Sequence, residues 1–210
     1  MHTKNIKNII FDLGGVFIDV DYQKTKQAFV ELGIANFDNF YHQSFSNPLF
    51  EQLEKGLISP ESFYDNFRVL TQTQFSDREI ETAWNAMLGS YRKSSIAILP
   101  SLKQRYNIYL LSNTNAIHYQ AILHIHKAEY GHAGFDLHFH KTYYSHIIYE
   151  RKPEKVAYEM ILEENGLKKE ETLFVDDTMK NIDGARLAGL EVFFLEKDVL
   201  VEDALMGTIL

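Results

Sequence analysis

Short apolar runs in this 210-residue sequence end directly in acidic, hydroxyl or amide side chains. The runs and the polar residues that follow them are Ile9-Ile10-Phe11 before Asp12, Ile108–Leu111 before Ser112-Asn113, and Thr172–Val175 before Asp176-Asp177. In open parallel α/β sheets, ligands bind beyond the carboxyl ends of the strands. If these runs are parallel strands, their polar side chains gather at one edge of the sheet.

The acidic members of this set could hold a cation. Asp12, Asp176 and Asp177 would repel one another at close range, and each carboxylate raises the pKa of the next unless a cation is bound. Ligation by oxygen atoms alone favours Mg²⁺, which binds carboxylates together with waters and substrate phosphate. A polar loop explains any single position without a function, but it explains three converging carboxylates less readily. The pattern therefore predicts a magnesium site that handles phosphate.

The elements that would position these residues follow an alternating pattern. A continuous apolar run stopped by an acid or a glycine is typical of a buried parallel strand, and Glu191–Leu195 is predicted as a fourth one. Between the strands we expect a helix with Pro153 in its first turn and Gly166 at its end, and another from Met179 to Ala188 that stops at Gly189. Strands alternating with helices predict a doubly wound, Rossmann-like parallel sheet of the α/β class.

A segment after the first strand has a different character. Residues 22–91 show helical spacing and no strand signal. Ser59-Pro60 reads as a cap followed by a first-turn proline, and Ser76 to Glu79 reads as a capping box. We therefore expect a helical insert, residues 22–91, within a core formed by residues 1–21 and 92–210.

Composition excludes several classes of function. The chain carries 21 Lys and Arg against 29 Asp and Glu, a net charge of −8, without a basic cluster, so a nucleic-acid partner is not expected. Cysteine is absent, which excludes disulfides, a cysteine nucleophile and Cys-based zinc sites. The apolar run Ile9-Ile10-Phe11 is too short for a signal peptide or a membrane span. We expect a cytoplasmic protein without a membrane partner.

Four segments in order resemble the motifs of the haloacid dehalogenase-like (HAD) phosphohydrolases. They are Ile9–Val16 with Asp12, Leu110–Asn113 with Ser112, Arg151-Lys152-Pro153, and Phe174–Asp177 followed by Asn181, Gly184-Ala185 and Gly189. The helical insert lies where this family places a small helical cap, between the first and second motifs. The first motif, with glycines after the acid and leucine, is similar to a branch that includes a sugar-1-phosphate phosphatase.

The resemblance implies a role for each residue of these motifs. Asp12 would be the nucleophile that forms an aspartyl-phosphate. Mg²⁺ would be held by Asp12, Asp177 and the backbone carbonyl of Gly14, with Asp176 acting through a water or in support of the ligands. The residues expected to bind the phosphate group are Ser112, Asn113 and Lys152.

One position departs from the family pattern. Most family phosphatases have a second aspartate two residues after the nucleophile, which serves as general acid and base, and this chain has Gly14 there. Three accounts fit this departure. The substrate could have a good leaving group such as an anomeric phosphate, or Asp19, Asp21 or the cap could supply another acid. In the third account, activity is slow or lost. Asp19 and Asp21 alternate with apolar residues, which also fits the solvated side of a short flap.

We therefore expect a Mg²⁺-dependent phosphatase acting on a small phosphorylated metabolite, with a sugar phosphate preferred. A phosphate-ligand-binding protein with little or no turnover is one alternative, and a phosphomutase is another. A dehalogenase fits less well, because that chemistry needs no metal and leaves the pair Asp176-Asp177 without a role. The sequence says nothing of the oligomeric state.

Seven of the nine histidines lie between residues 118 and 146. They are His118, His124, His126, His132, His138, His140 and His146. Imidazole suits zinc and copper, so a metal site is one interpretation. We favour a variable surface connection, because the spacing shows no helical i, i+4 pair and His138 and His140 alternate as on a strand.

Overall fold

The computed structural model describes residues 6–42, 45–132 and 134–205. Its strands are β1 (Asn8–Phe11), β2 (Ile18–Val20), β3 (Tyr41–His42), β4 (Phe45–Ser46), β5 (Leu88–Tyr91), β6 (Asn107–Ser112), β7 (Lys141–Tyr144), β8 (Thr172–Asp176) and β9 (Glu191–Phe194). Its α-helices are α1 (Tyr22–Glu31), α2 (Pro48–Glu54), α3 (Pro60–Thr71), α4 (Asp77–Asn85), α5 (Lys93–Ala97), α6 (Leu99–Arg105), α7 (Ala116–Tyr130), α8 (Ser145–Ile148), α9 (Lys155–Glu164), α10 (Met179–Ala188) and α11 (Val201–Leu205). Short 3-10 turns occur at Phe37–Asn39, Phe135–His138 and Lys169–Glu171.

The central sheet has five strands in the order β7-β6-β1-β8-β9, and all neighbours are parallel. Asn8 of β1 lies opposite Asn107 of β6 on one side and Thr172 of β8 on the other. The predicted doubly wound parallel sheet and its four predicted strands are confirmed. The edge strand β7, Lys141–Tyr144, was not predicted, because its residues do not form a continuous apolar run.

Alternate residues of the central strands supply two cores, one on each face of the sheet. Ile9 and Phe11 point into a core that includes residues of α5, α6, α7 and α11. Ile10 points into the other, which is closed by α9 and α10. Burial on both faces explains why Ile9, Ile10 and Phe11 of β1 are all apolar rather than alternating with polar residues.

Two predicted helix starts and two predicted stops are confirmed by the backbone. Ser59 caps α3, and Ser76 forms a reciprocal capping box with Glu79 at the start of α4. Gly189 ends α10 with a left-handed backbone, φ 91°, and Gly166 follows α9 with φ 62°. Pro153 is not in the first turn of α9, which begins at Lys155, so that prediction was wrong by two residues.

Helices α1 to α4 pack around an aromatic core of their own. This core contains Phe29, Phe50, Phe63, Phe67 and Trp84, all fully buried. The predicted division into residues 22–91 and residues 1–21 with 92–210 places these helices in the insert, and we keep that division as a proposal.

The insert is not all-helical, contrary to the prediction. Strands β3 and β4 form a small antiparallel pair, and β5 pairs antiparallel with β2. Two-residue strands are too short to show an alternating pattern, and Gly89 interrupts the apolar residues of β5. The antiparallel pair of β2 and β5 joins the helices to the loop after β1. The two connections between insert and core are therefore hydrogen-bonded to each other. Among the described residues, no helix is long and apolar enough to cross a membrane.

Candidate active site at the carboxyl edge of the sheet

The ends of β1, β6 and β8 bring the predicted residues together. Asp12 directly follows β1, and its backbone NH donates to the carbonyl of Val175 at 2.9 Å. Ser112 ends β6 and Asp176 ends β8, and all three of these polar side chains are buried. Carboxylate oxygens of Asp12, Asp176 and Asp177 lie within 4.8 Å of one another. Parallel pairing in register places these junctions side by side, as the sequence predicts.

Lys152 bridges two members of the acidic cluster. Its Nζ is 2.6 Å from Asp12 Oδ1 and 2.8 Å from Asp176 Oδ2, and the residue is 1% exposed. Burial opposes the charge of the ammonium group, but the two carboxylates outweigh it and raise the pKa of Lys152. Lys152 is therefore a buried cation at the centre of the site and not a solvated lysine at a helix start.

Asn113 holds the backbone of Lys152. Its Nδ2 donates to the carbonyl of Lys152 at 2.8 Å, and its Oδ1 accepts from the backbone NH of Lys152 at 2.9 Å. These two bonds join the end of β6 to the segment before α9. The side chain that sequence reasoning assigned to phosphate binding is thus engaged in positioning the lysine.

Asp176 and Asp177 differ in their surroundings although they are adjacent. Asp176 is fully buried and accepts from the backbone NH of Thr178 at 2.7 Å and from Asn181 Nδ2 at 3.0 and 3.1 Å, besides its bond to Lys152. Asp177 is half-buried and accepts from the Thr178 hydroxyl at 3.2 Å. Asp176 is thus fully hydrogen-bonded, which suits the supporting role expected for it, and Asp177 is the more accessible carboxylate.

The cluster carries an electrostatic cost that a cation would remove. Burial raises the pKa of Asp12 to about 7, Lys152 opposes the rise, and the negative charges of Asp176 and Asp177 add to it. Burial, followed by the charge of Asp176, also raises the pKa of Asp177. One lysine does not neutralise three carboxylates, and a set of oxygen donors this close suits a hard divalent cation such as Mg²⁺. The residues present therefore fit the expected metal.

The loop after Asp12 is shaped by its glycines. Gly15 has φ +69°, and a Cβ on it would lie 1.9 Å from Asp177 Oδ2, so only glycine allows the loop to approach that carboxylate. Gly14 has no such restriction: a Cβ there would meet Val20 Cγ2 at 3.2 Å. The absence of a carboxyl group at Gly14 is therefore not imposed by a severe steric clash.

The two other acids considered as proton donors are engaged elsewhere. Asp19 is exposed and accepts from Arg92 Nε at 2.7 Å, while Arg92 Nη1 also donates to the carbonyl of Gly15. Asp21 is exposed and caps α1 by accepting from the backbone NH of Gln23 at 3.0 Å. Sequence reasoning missed Arg92, which holds the loop from a distance of 77 residues in the chain and has no local pattern that indicates the contact.

The histidine-rich segment is not a uniform surface connection, so that prediction was wrong in part. His118 and His126 are buried, and His118 stacks on Trp84 with ring centroids 4.6 Å apart. His138 lies in a 3-10 turn rather than on a strand. Within the described ranges, the group able to hold a metal is the acidic one around Asp12, and no histidine belongs to it.

Comparisons with known proteins agree with this geometry. A family model described as haloacid dehalogenase-like hydrolase matches residues 6–189. The chain is 30% identical over 188 residues to a D-ribitol-5-phosphate phosphatase from Bacteroides thetaiotaomicron, covering 90% of this chain and 91% of that protein. A solved HAD family enzyme from Bacteroides thetaiotaomicron, in complex with magnesium and inorganic phosphate, is 31% identical with a TM-score of 0.83, over 94% of this chain and 98% of that one.

A second solved structure extends the likeness. A HAD-like family hydrolase from Porphyromonas gingivalis is 26% identical with a TM-score of 0.87, covering 97% of both chains. The family model spans four of the five strands of the sheet, the acidic cluster and Lys152, and the relatives match over nearly their whole length. The chain therefore belongs to the haloacid dehalogenase-like hydrolase family.

Proposed function

We propose that the protein is a Mg²⁺-dependent phosphatase that hydrolyses a small phosphorylated metabolite, with a sugar or sugar-alcohol phosphate as its substrate. The observation that carries the proposal is the position of Lys152 Nζ, bonded to both Asp12 and Asp176 beside the three-carboxylate cluster. A buried cation next to a metal-suited acidic set provides the positive charge that a phosphate dianion needs. The names of the relatives, a D-ribitol-5-phosphate phosphatase and an enzyme solved with magnesium and phosphate, support the same chemistry.

In the proposed mechanism, a carboxylate oxygen of Asp12 attacks phosphorus. The bond from phosphorus to the leaving oxygen breaks as the bond to Asp12 forms, which gives an aspartyl-phosphate. Water then attacks phosphorus, the bond between phosphorus and the Asp12 oxygen breaks, and the carboxylate is regenerated while both hydrogens of the water leave with the phosphate as H₂PO₄⁻. Lys152 neutralises a phosphoryl oxygen while Ser112 donates a hydrogen bond to another.

The other site residues support these steps. Asp176 and Asn113 hold Lys152 by its ammonium group and its backbone. Asp12, Asp177 and the Gly14 carbonyl, with support from Asp176, would hold Mg²⁺, which would neutralise charge on the transferring phosphoryl group.

The glycine at position 14 shapes the expected substrate range. General acid catalysis is commonly worth about 10²–10⁴-fold, and Gly14 cannot supply it. Asp19 and Asp21 are exposed and bonded elsewhere, which favours an anomeric phosphate, whose leaving oxygen departs readily. A polyol phosphate has a poorer leaving group. Its departing alkoxide would take a proton from a water at the site. A panel that includes glucose 1-phosphate and D-ribitol 5-phosphate separates these two substrate classes.

Asp12→Asn tests the mechanism directly. We expect phosphate release from p-nitrophenyl phosphate with Mg²⁺ to fall by about 10³-fold or more, because the amide is not a nucleophile for phosphorus. Asp183→Asn is the matched control, since Asp183 is an exposed aspartate on α10 that pairs with Arg186 on the surface, and it should retain wild-type turnover. Near-wild-type turnover by Asp12→Asn would overturn the mechanism.

The second candidate function is binding of a phosphate ligand without turnover, which the glycine at position 14 favours. In that case no member of a panel of sugar phosphates, polyol phosphates, nucleotides and flavin phosphates releases phosphate. At least one of them would nevertheless raise the melting temperature of the protein. A phosphomutase is less well supported, because the return of the phosphoryl group to a second hydroxyl needs the general base that Gly14 lacks.

A further inference from the structure

An ion pair between a buried glutamate and a partly buried arginine links the helical insert to the segment that carries Lys152. Glu54, the last residue of α2, is 7% exposed, and its Oε2 lies 3.0 Å from Arg151 Nη2. Arg151 immediately precedes Lys152, so the ion pair is one residue away from the buried cation of the site. Arg151 also lies 3.3 Å from Glu51 Oε1, one helical turn earlier on α2, where the side chain is 52% exposed.

The pair is close but does not satisfy the hydrogen-bonding capacity of either partner. Glu54 Oε2 lies within ion-pair distance of Arg151 Nη2 but makes no well-aligned hydrogen bond, and among the described residues Arg151 Nε is buried without a hydrogen-bond partner. Glu54 Oε1 accepts a long bond from Tyr41 Oη at 3.5 Å. An ionised carboxylate has about four acceptor positions, so Glu54 retains unused ones in a place that water does not freely reach. A group of this kind is expected to have a further hydrogen-bond partner, and its ion pair with Arg151 links it to the residue that precedes Lys152.

Tyr22 experiences the negative charges of both Glu54 and the acidic cluster. Its ring centroid lies 6.2 Å from that of Tyr41, which bonds to Glu54. Burial raises the pKa of Tyr22, and the next causes are the negative charges of Glu54 and of Asp12, followed by those of the other two cluster carboxylates. Glu54 is therefore linked to the segment of Lys152 through Arg151, and to Tyr22 through Tyr41.

We propose that Glu54, oriented by Arg151 and flanked by Tyr22 and Tyr41, accepts hydrogen bonds from hydroxyl groups of the leaving group and so selects polyhydroxylated phosphate esters. This inference rests on the proposed phosphatase function and adds the residue that determines its specificity. A site built around a buried carboxylate discriminates against substrates without hydroxyls, because they leave its acceptors unpaired. The flanking phenols suit the same substrates, since a tyrosine presents both an apolar face and a hydroxyl.

Glu54→Gln tests the assignment through the ratio of two activities. We measure kcat/KM with Mg²⁺ for D-ribitol 5-phosphate and glucose 1-phosphate, which carry hydroxyls, and for p-nitrophenyl phosphate, which carries none. For the better hydroxyl-bearing substrate, we expect the ratio to p-nitrophenyl phosphate to fall by about 10- to 100-fold, the usual size of a hydrogen bond to a charged group. Tyr22→Phe should lower the same ratio by a smaller factor, because it removes one hydroxyl and leaves the ion pair intact.

Glu51→Gln is the matched control, since it removes the same charge and a contact to the same arginine from an exposed position. Its ratio should stay within about twofold of wild type. If Glu54→Gln lowers both activities in parallel, or lowers neither, the assignment is wrong and Glu54 only helps to dock the insert. A wild-type enzyme that prefers p-nitrophenyl phosphate to both hydroxyl-bearing esters would also overturn it while leaving the phosphatase function intact. Failure of the phosphatase function itself would appear as no phosphate release from any of the three esters.

Discussion

Replacing Gly15 with alanine separates the two reasons why the loop after Asp12 needs glycine. The backbone of Gly15 has φ +69°, where an L-residue costs about 1–2 kcal/mol. In addition, the new Cβ would lie 1.9 Å from Asp177 Oδ2. Ordinary van der Waals contact begins near 3.4 Å, so the carboxylate would have to move by about 1.5 Å. The backbone effect reduces stability, whereas the displacement affects a proposed metal ligand.

The expected result for Gly15→Ala is therefore a large loss of activity with a modest loss of stability. A displacement of about 1 Å at a reacting site can cost 10²-fold in rate, so we expect kcat/KM for p-nitrophenyl phosphate to fall by about that factor. The Mg²⁺ concentration for half-maximal activity should rise. The assay is phosphate release across a MgCl₂ titration, together with urea unfolding at 25 °C for the free energy of unfolding.

Gly166→Ala is the control for the backbone effect. Gly166 has φ +62°, and a Cβ there would meet nothing within 4 Å. We expect Gly166→Ala to lose about 1–2 kcal/mol of unfolding free energy and to keep wild-type turnover and Mg²⁺ requirement. The reasoning is refuted if Gly15→Ala retains activity within threefold of Gly166→Ala at the same Mg²⁺ requirement.

Two further predictions concern buried charges. Lys152→Met should abolish phosphate release and lower the free energy of unfolding at pH 8 by about 3–5 kcal/mol, because it leaves the buried carboxylates of Asp12 and Asp176 without their cation. Burial lowers the pKa of His118 to about 4, below its ordinary value of 6.5, so the unfolded chain takes up a proton first as the pH falls. His118 should therefore cost the wild type up to about 1.4 kcal/mol of stability per pH unit between pH 6.5 and 4, and His118→Gln should remove that part of the slope.

Each of these predictions has a matched control on the same part of the chain. Lys155→Met removes an exposed lysine that pairs with Glu159 on the surface of α9, and it should change stability by less than about 1 kcal/mol. A Lys152→Met variant as stable as Lys155→Met would contradict the buried ion-pair arrangement. His124→Gln, which changes an exposed histidine of α7, is measured alongside as the control. An equal slope in wild type and His118→Gln would show that His118 does not titrate in this range.

Local patterns were sufficient to predict much of the fold. The apolar runs before Asp12, Ser112 and Asp176 are strands because burial on both faces of the sheet requires continuous apolar residues. The capping box beginning at Ser76 marks the start of a helix because its side chains accept hydrogen bonds from free backbone NH groups. The glycine at position 189 marks the end of a helix because it adopts a left-handed backbone. Strand β7 and the two-residue strands of the insert lacked such patterns, since their pairing is decided by neighbours that are distant in the chain.

Some features of the site were likewise predictable from local patterns, and others were not. The sequence alone determined which acidic and polar residues end the strands, because parallel strands in register present their carboxyl ends at one edge, and hence that Asp12 and Asp176 would meet there. Only the tertiary structure decided that Asn113 clamps the Lys152 backbone, that Arg92 holds the Gly15 carbonyl and that Glu54 meets Arg151. These contacts join segments 39, 77 and 97 residues apart, so they depend on how helices pack on the sheet and not on any local spacing.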